Sequence, residues 1–118
     1  MEDLARAHNA IVDTWADAQA LGKEHPDTFD APVDEVLEQI AGYDFATNQC
    51  YQVKICGSGS ERFWVIVMYS GNEPDVYNRS FVGVVNNKLL NRSKYDIGKL
   101  VAFQGKHIYD VIRTTIKM

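Results

Sequence analysis

Arg62 and Trp64 are the pair in this chain whose types and spacing most readily describe a site. Two apart in an extended segment, they project from one strand face, where a guanidinium beside an indole can bind an anion or stack on a ring. If the indole faces inward instead, the pair is structural and Arg62 only caps the edge. Asn86, Asn87, His107 and Tyr109, in or beside later turns, complete the candidate binding set. His107 stands next to Lys106 and near Asp110, so a general base can be drawn there, although a turn histidine is usually just solvated.

The other reactive side chains point away from recognised chemistry. His8, His25 and His107 have no zinc-ligand spacing, and Cys50 and Cys56 form no C-x-x-C arrangement with them. Both cysteines fall on one expected strand, where six residues of extended chain span roughly 20 Å against the ~7 Å Cα limit of a disulfide. They read as free thiols of a reducing compartment. No nucleophile elbow, dinucleotide fingerprint or phosphate loop occurs. No catalytic residue, metal or cofactor is expected.

The elements that must position these residues follow from periodicity. Leu4, Ala7, Ile11, Trp15, Ala18 and Leu21 recur at steps of three or four, which predicts one amphipathic helix over residues 3–21, capped by Gly22 and stopped by Pro26. Trp15 reads as its anchor into the core. Pro32 opens a second, short helix with Val33, Val36, Leu37 and Ile40 on its apolar face and Gly42 at its end. After Gly42 the period becomes two. Tyr51, Val53 and Ile55 alternate with Gln52 and Lys54; a Gly57–Ser60 turn follows; residues 61–69 are apolar on both faces, as in a central strand. Strands over 81–85, 100–103 and 108–116 complete the set. The expected fold is α+β: two N-terminal helices packed on a strongly bent antiparallel five-stranded sheet or small SH3-like barrel. The chain reads as one domain, helical over 1–42 and β over 50–118.

The segment Glu61–Val65, with Pro26-Asp27-Thr28-Phe29 and Pro32 before it, resembles a known pattern. So do Val53-Lys54, Gly83–Asn87, Gly98–Phe103 and His107-Ile108, in that order and spacing. From about His25 to Asp110 the chain looks like the YegJ-like small bacterial domain of unknown function. Two turns depart from it: Phe45–Gln52 is inserted after Gly42 and Asp44, and Lys99 follows Gly98. Domains related to that family are described as immunity proteins of bacterial toxin systems, so the resemblance implies a protein partner.

Charge divides along the chain. Residues 1–49 hold 11 acids against 2 bases, and residues 50–118 hold 5 acids against 10 bases, within a total of −4. Such polarity steers a partner of opposite sign, or the acidic helices pack beside the basic sheet and neutralise it. No apolar run approaches the roughly 20 residues of a membrane span, and the acidic start lacks the pattern of a secretory signal. A cytoplasmic location is therefore expected. The first functional expectation is a non-enzymatic module binding a protein, in the manner of an immunity factor or inhibitor. The second is a small barrel binding single-stranded nucleic acid, since Lys54, Arg62, Arg79, Lys88, Arg92, Lys94, Lys99 and Lys106 interleave with Trp64, Tyr95, Phe103 and Tyr109. The third, an enzyme on a small polar substrate, has no recognisable machinery in the sequence.

Overall fold

A computed structural model describes residues 1–27, 31–57, 62–86 and 97–115 of the 118-residue chain. In chain order the elements are α1 (Glu2–His8), β1 (Ile11–Val12), α2 (Ala18–Glu24), α3 (Asp34–Glu38), β2 (Gln49–Cys56), β3 (Arg62–Ser70), β4 (Ser80–Val85), β5 (Leu100–Gln104) and β6 (Asp110–Thr115), with a 3-10 turn at Gly105–His107. The strands form one sheet in the order β1-β5-β4-β3-β2-β6.

The expected long first helix is interrupted. Asn9 takes a left-handed conformation (φ 54°, ψ 42°) and closes α1 by donating its N–H to the carbonyls of Ala5 and Arg6. An asparagine tolerates this region where most side chains do not. Ile11 and Val12 then pair in parallel with Val101 and Ala102. Helix resumes when Asp17 caps α2 by accepting from the Ala20 N–H at 3.0 Å. Gly22 therefore lies within α2 rather than ending it. The second helix is also shorter than expected: α3 stops at Glu38 with Gln39 as its cap, so Gly42 lies beyond it, and Val33 and Val36 stay exposed while Leu37 and Ile40 are buried.

The β unit follows the period-two reading. β2 and β3 form the antiparallel hairpin, with Lys54 opposite Trp64 and Ile55 opposite Phe63; its turn at 58–61 lies outside the described residues. β3 continues into β4, β4 into β5, and β6 returns to the far side of β2. The five-stranded antiparallel sheet or barrel is corrected on two points: the sheet has six strands with one parallel pair, and it is open. Among the described residues its ends, β1 and β6, each pair on one side only. A two-residue strand carries too little pattern to be seen in a sequence.

One face of the sheet, called here the sealed face, holds the main core: Val53, Ile55, Phe63, Val65, Val67, Phe81, Val85, Val101 and Phe103 meet Trp15, Leu37, Ile40, Val76 and Ile108. Trp15 is buried as expected, edge-on to Phe63 at 6.0 Å, and its indole N–H donates to the Ala102 carbonyl at 2.7 Å. It arrives there from a non-helical stretch. α1 covers the opposite face instead, over Val82, Ala102 and Leu100 of β4 and β5. The second face of β3 is therefore not shielded by a helix: Ile66 is covered there by Tyr43, and the chain crosses between faces at the β1 edge.

A register shift after Val67 leaves Met68 out of the β4 ladder, and its carbonyl accepts the Tyr43 N–H at 3.2 Å. A Cβ on Gly42 would come within 2.7 Å of that same oxygen, so a side chain there would obstruct the approach. Both cysteines are free and buried on β2, and burial pushes each thiol's pKa up. Among the described residues no helix is long and apolar enough to cross a membrane.

Candidate functional site

The second face is closed by α1 over β4 and β5 and by Tyr43 near the middle of β3, which leaves a half-exposed area over β2 and β3. The residues there are set by register. Lys54 and Trp64 are directly opposite across the hairpin, and the Lys54 ammonium lies over the indole, 5.1 Å from its centroid. Such a contact on a partly exposed ring contributes about 0.5–1 kcal/mol. Arg62, two residues before Trp64, stacks its guanidinium over the Tyr109 ring at 4.7 Å. Asn86, just past β4, donates its backbone N–H to the Trp64 carbonyl at 2.9 Å and its side-chain N–H to the Gln52 amide oxygen at 2.9 Å. Two cation–ring stacks and one amide pair therefore adjoin, on strands whose backbones are already fixed.

Of the expected binding residues, Arg62, Trp64, Asn86 and Tyr109 come together here. Trp64 is half-buried and Arg62 exposed, which answers the question of whether that pair faces inward. Tyr109 is buried; it contributes a platform beneath Arg62, and its backbone N–H bonds the Lys54 carbonyl at 2.8 Å. Burial raises its phenol pKa, with Cys56 adding to the shift and Arg62 opposing it. Asn87 lies outside the described residues, as do Lys88, Arg92, Lys94 and Tyr95 from the basic and aromatic set. Lys54 and Gln52 were visible as the polar side of an alternating strand, but their place beside Trp64 and Asn86 depends on hairpin register, which local sequence does not carry.

His107 does not join this group, and the expectation of a solvated turn histidine is corrected. It is buried, and its Nδ1 accepts the Gln104 backbone N–H at 3.0 Å while the Gln104 side chain caps the 3-10 turn in return. Burial pushes its pKa down to about 4, Lys106 adds to that shift, and Asp17 opposes it. The ring is thus a neutral structural acceptor. Nor do the charged halves stay apart: Arg79 pairs with Glu38 of α3 at 3.0 Å and also donates to the Glu73 carbonyl. This contact is one instance of acidic helix neutralising basic sheet.

Grooves open on either side of this group, one of them sharing Tyr109. One, about 360 Å³, runs between the start of α3 and Tyr109–Val111. The other, about 430 Å³, lies between α1 and Gly71–Glu73. In the second, Glu73 accepts from both the hydroxyl and the N–H of Ser80. Burial alone would raise the Glu73 pKa, but the Ser80 bonds and the nearby N-terminal ammonium hold it below the usual value. That carboxylate is occupied in joining the loop to β4. Among the described residues no group of three His, Cys, Asp or Glu side chains could hold a metal ion.

The arrangement defines an α+β fold with an open mixed sheet and cation–aromatic contacts grouped about the Lys54–Trp64 end of the β2–β3 hairpin. No family model, no curated protein and no solved structure matches the chain.

Proposed function

We propose that this chain is a non-enzymatic interaction module that binds the acidic surface of a protein partner through Lys54, Trp64, Arg62, Gln52 and Asn86, in the manner of an immunity protein or inhibitor. The observation that carries this reading is the Lys54–Trp64 stack on the part of the second face that the helices leave open, with Arg62, two residues along β3, reaching round to stack on Tyr109. Tryptophan, tyrosine and arginine dominate the energetic centres of protein interfaces. Side chains already held on rings lose less freedom when a partner docks, which favours affinity at small contact area. The cations select an acidic counterpart, and the Gln52–Asn86 amide pair offers geometry-specific hydrogen bonding at the rim.

The same chemistry supports a second reading, single-stranded nucleic acid, because bases stack on exposed rings beside cations. Salt separates the two. Oligonucleotide affinity falls steeply, by powers of ten between low and moderate salt, whereas a mixed protein interface responds less. The deciding experiment captures partners from source cells on immobilised full-length chain and repeats the capture with Trp64→Ala and Arg62→Ala. A stoichiometric protein retained by the parent and lost by both variants supports the proposal. Retention by both variants, or salt-sensitive binding to mixed-sequence oligonucleotides instead, rejects it.

A further inference from the structure

The two ends of the sheet are treated differently. β1 is two residues long, and so short an edge offers little for another strand to pair with. β6 is six residues long, Asp-Val-Ile-Arg-Thr-Thr, rich in β-branched side chains and free of proline and lysine. One side of β6 is paired to β2 from Asp110 to Thr115, and no described strand pairs its other side. Folded proteins ordinarily blunt such an edge with charged side chains, prolines, bulges or a covering element; β6 carries Asp110 and Arg113, which an antiparallel junction centred on Ile112 would place opposite Thr114 and Val111 rather than opposite each other. Ile112, which stands opposite Gln52, also keeps 44% of its surface exposed.

We infer that β6 is a self-association edge whose occupant is β6 of a second copy, joined antiparallel about a two-fold axis through Ile112 so that the two sheets become continuous. A two-fold axis perpendicular to an antiparallel pair requires one residue to oppose itself, and residues of like parity then meet on the same face. With Ile112 opposite its own copy, Val111 meets Arg113 and Tyr109 meets Thr115. The exposed isoleucines cover each other on the second face. On the sealed face, Val111 and Tyr109 line the 360 Å³ groove whose other wall includes Pro32, Val33 and Val36. Each groove therefore receives Arg113 and Thr115 of the second copy.

Charge favours this occupant. Asp110 lines the groove, and Asp34 and Glu35 stand exposed beside it on the first turn of α3; these three acids outnumber Arg62, which stacks on Tyr109, and the incoming strand brings Arg113. Within its own chain Arg113 lies over Tyr51 of β2, 5.9 Å from the ring centroid, and donates to Gln49, so on docking its guanidinium swings from the β2 side across β6 to reach those acids. Val33, 59% exposed, gains cover in the same event. A junction of about seven residues per strand falls at the small end of specific interfaces, which predicts a dissociation constant on the order of micromolar rather than nanomolar.

Sedimentation velocity on the full chain, from about 1 μM to about 1 mM, tests the inference over the range that affinity demands. The expected result is a monomer–dimer equilibrium in which Ile112→Lys and Arg113→Glu each weaken association at least tenfold. Trp64→Ala leaves it unchanged, so failure here is distinguishable from failure of the proposed partner surface. Register is read by Ile112→Cys, which under mild oxidation by diamide gives a disulfide-linked dimer faster than Thr115→Cys does; circular dichroism confirms that each variant is folded. Hydrogen exchange of β6 amides slows with protein concentration only if that edge is the junction. A monomer at every concentration overturns the inference. So does a dimer that survives Ile112→Lys, which would lie elsewhere, or β6 protection acquired only with a different protein bound, which would make that partner's strand the occupant.

Discussion

The two faces of this sheet are built from the same strands and serve opposite ends. On the sealed face Phe63, Val65 and Val67 meet Trp15, Leu37 and Ile40 in one buried apolar cluster. On the second face the alternate residues of the same strand are Arg62, Trp64, Ile66 and Met68, covered in part by Tyr43, with cations resting on rings where cover ends. β3 thus reads as apolar on both sides in sequence yet is shielded to different depths. The difference teaches that a bifacial apolar strand predicts contact on both sides without predicting closure on both sides.

Substitutions that break this comparison should separate stability from binding. Phe63→Ala on the sealed face should lower unfolding free energy by about 3–5 kcal/mol, measured by urea denaturation, because the vacated volume is walled by Trp15 and the opposing strands. An effect under about 1 kcal/mol would mean that the face is not closed.

A second test concerns the 3-10 turn that precedes Tyr109. The folded His107 pKa of about 4 lies below its ordinary 6.5, so the unfolded chain takes up a proton first as pH falls. Stability from this group is complete above pH 6.5 and is lost as pH drops towards 4, by up to about 3 kcal/mol. Denaturation of the parent and of His107→Gln across pH 7 to 4 isolates the contribution, and parallel curves would contradict it. Gly83→Ala should cost roughly 1–3 kcal/mol, since its Cβ would meet Val65 Cγ1 at 2.3 Å and the Ile66 carbonyl at 2.6 Å.

The patch itself should hardly register in the same denaturation assay. Lys54→Ala is expected to change stability by less than about 1 kcal/mol while weakening capture of an acidic partner. Smallest of all, Glu38→Gln, which removes the charge from the exposed partner of Arg79, should cost well under about 1 kcal/mol and less still in high salt.

What was legible in the sequence followed the range of each interaction. The β2–β3 hairpin, β4 and β5 were readable because alternation is written within a few residues. The first helix was misread because Leu4, Ala7, Ile11 and Trp15 keep helical spacing while Asn9 ends the helix and Ile11 leaves it for a strand some ninety residues away. Asn9 ahead of two β-branched residues, and Asp17 three before Ala20, were the local signals available. Arg62 and Trp64 were visible as an i, i+2 pair, but the stacks that hold them need Lys54 and Tyr109, brought in by register. His107 was misjudged because a turn of three residues can be buried when α2 packs over it.

The short parallel strand has a consequence for how the chain is made. Ile11 and Val12 find their partners at Val101 and Ala102, and Trp15 donates to a carbonyl 87 positions later. During synthesis the leading segment must therefore wait, its tryptophan unseated, until the fifth strand has left the ribosome. Nascent chains halted before residue 100 should leave the N-terminal quarter open to protease, and chains released after residue 115 should close it.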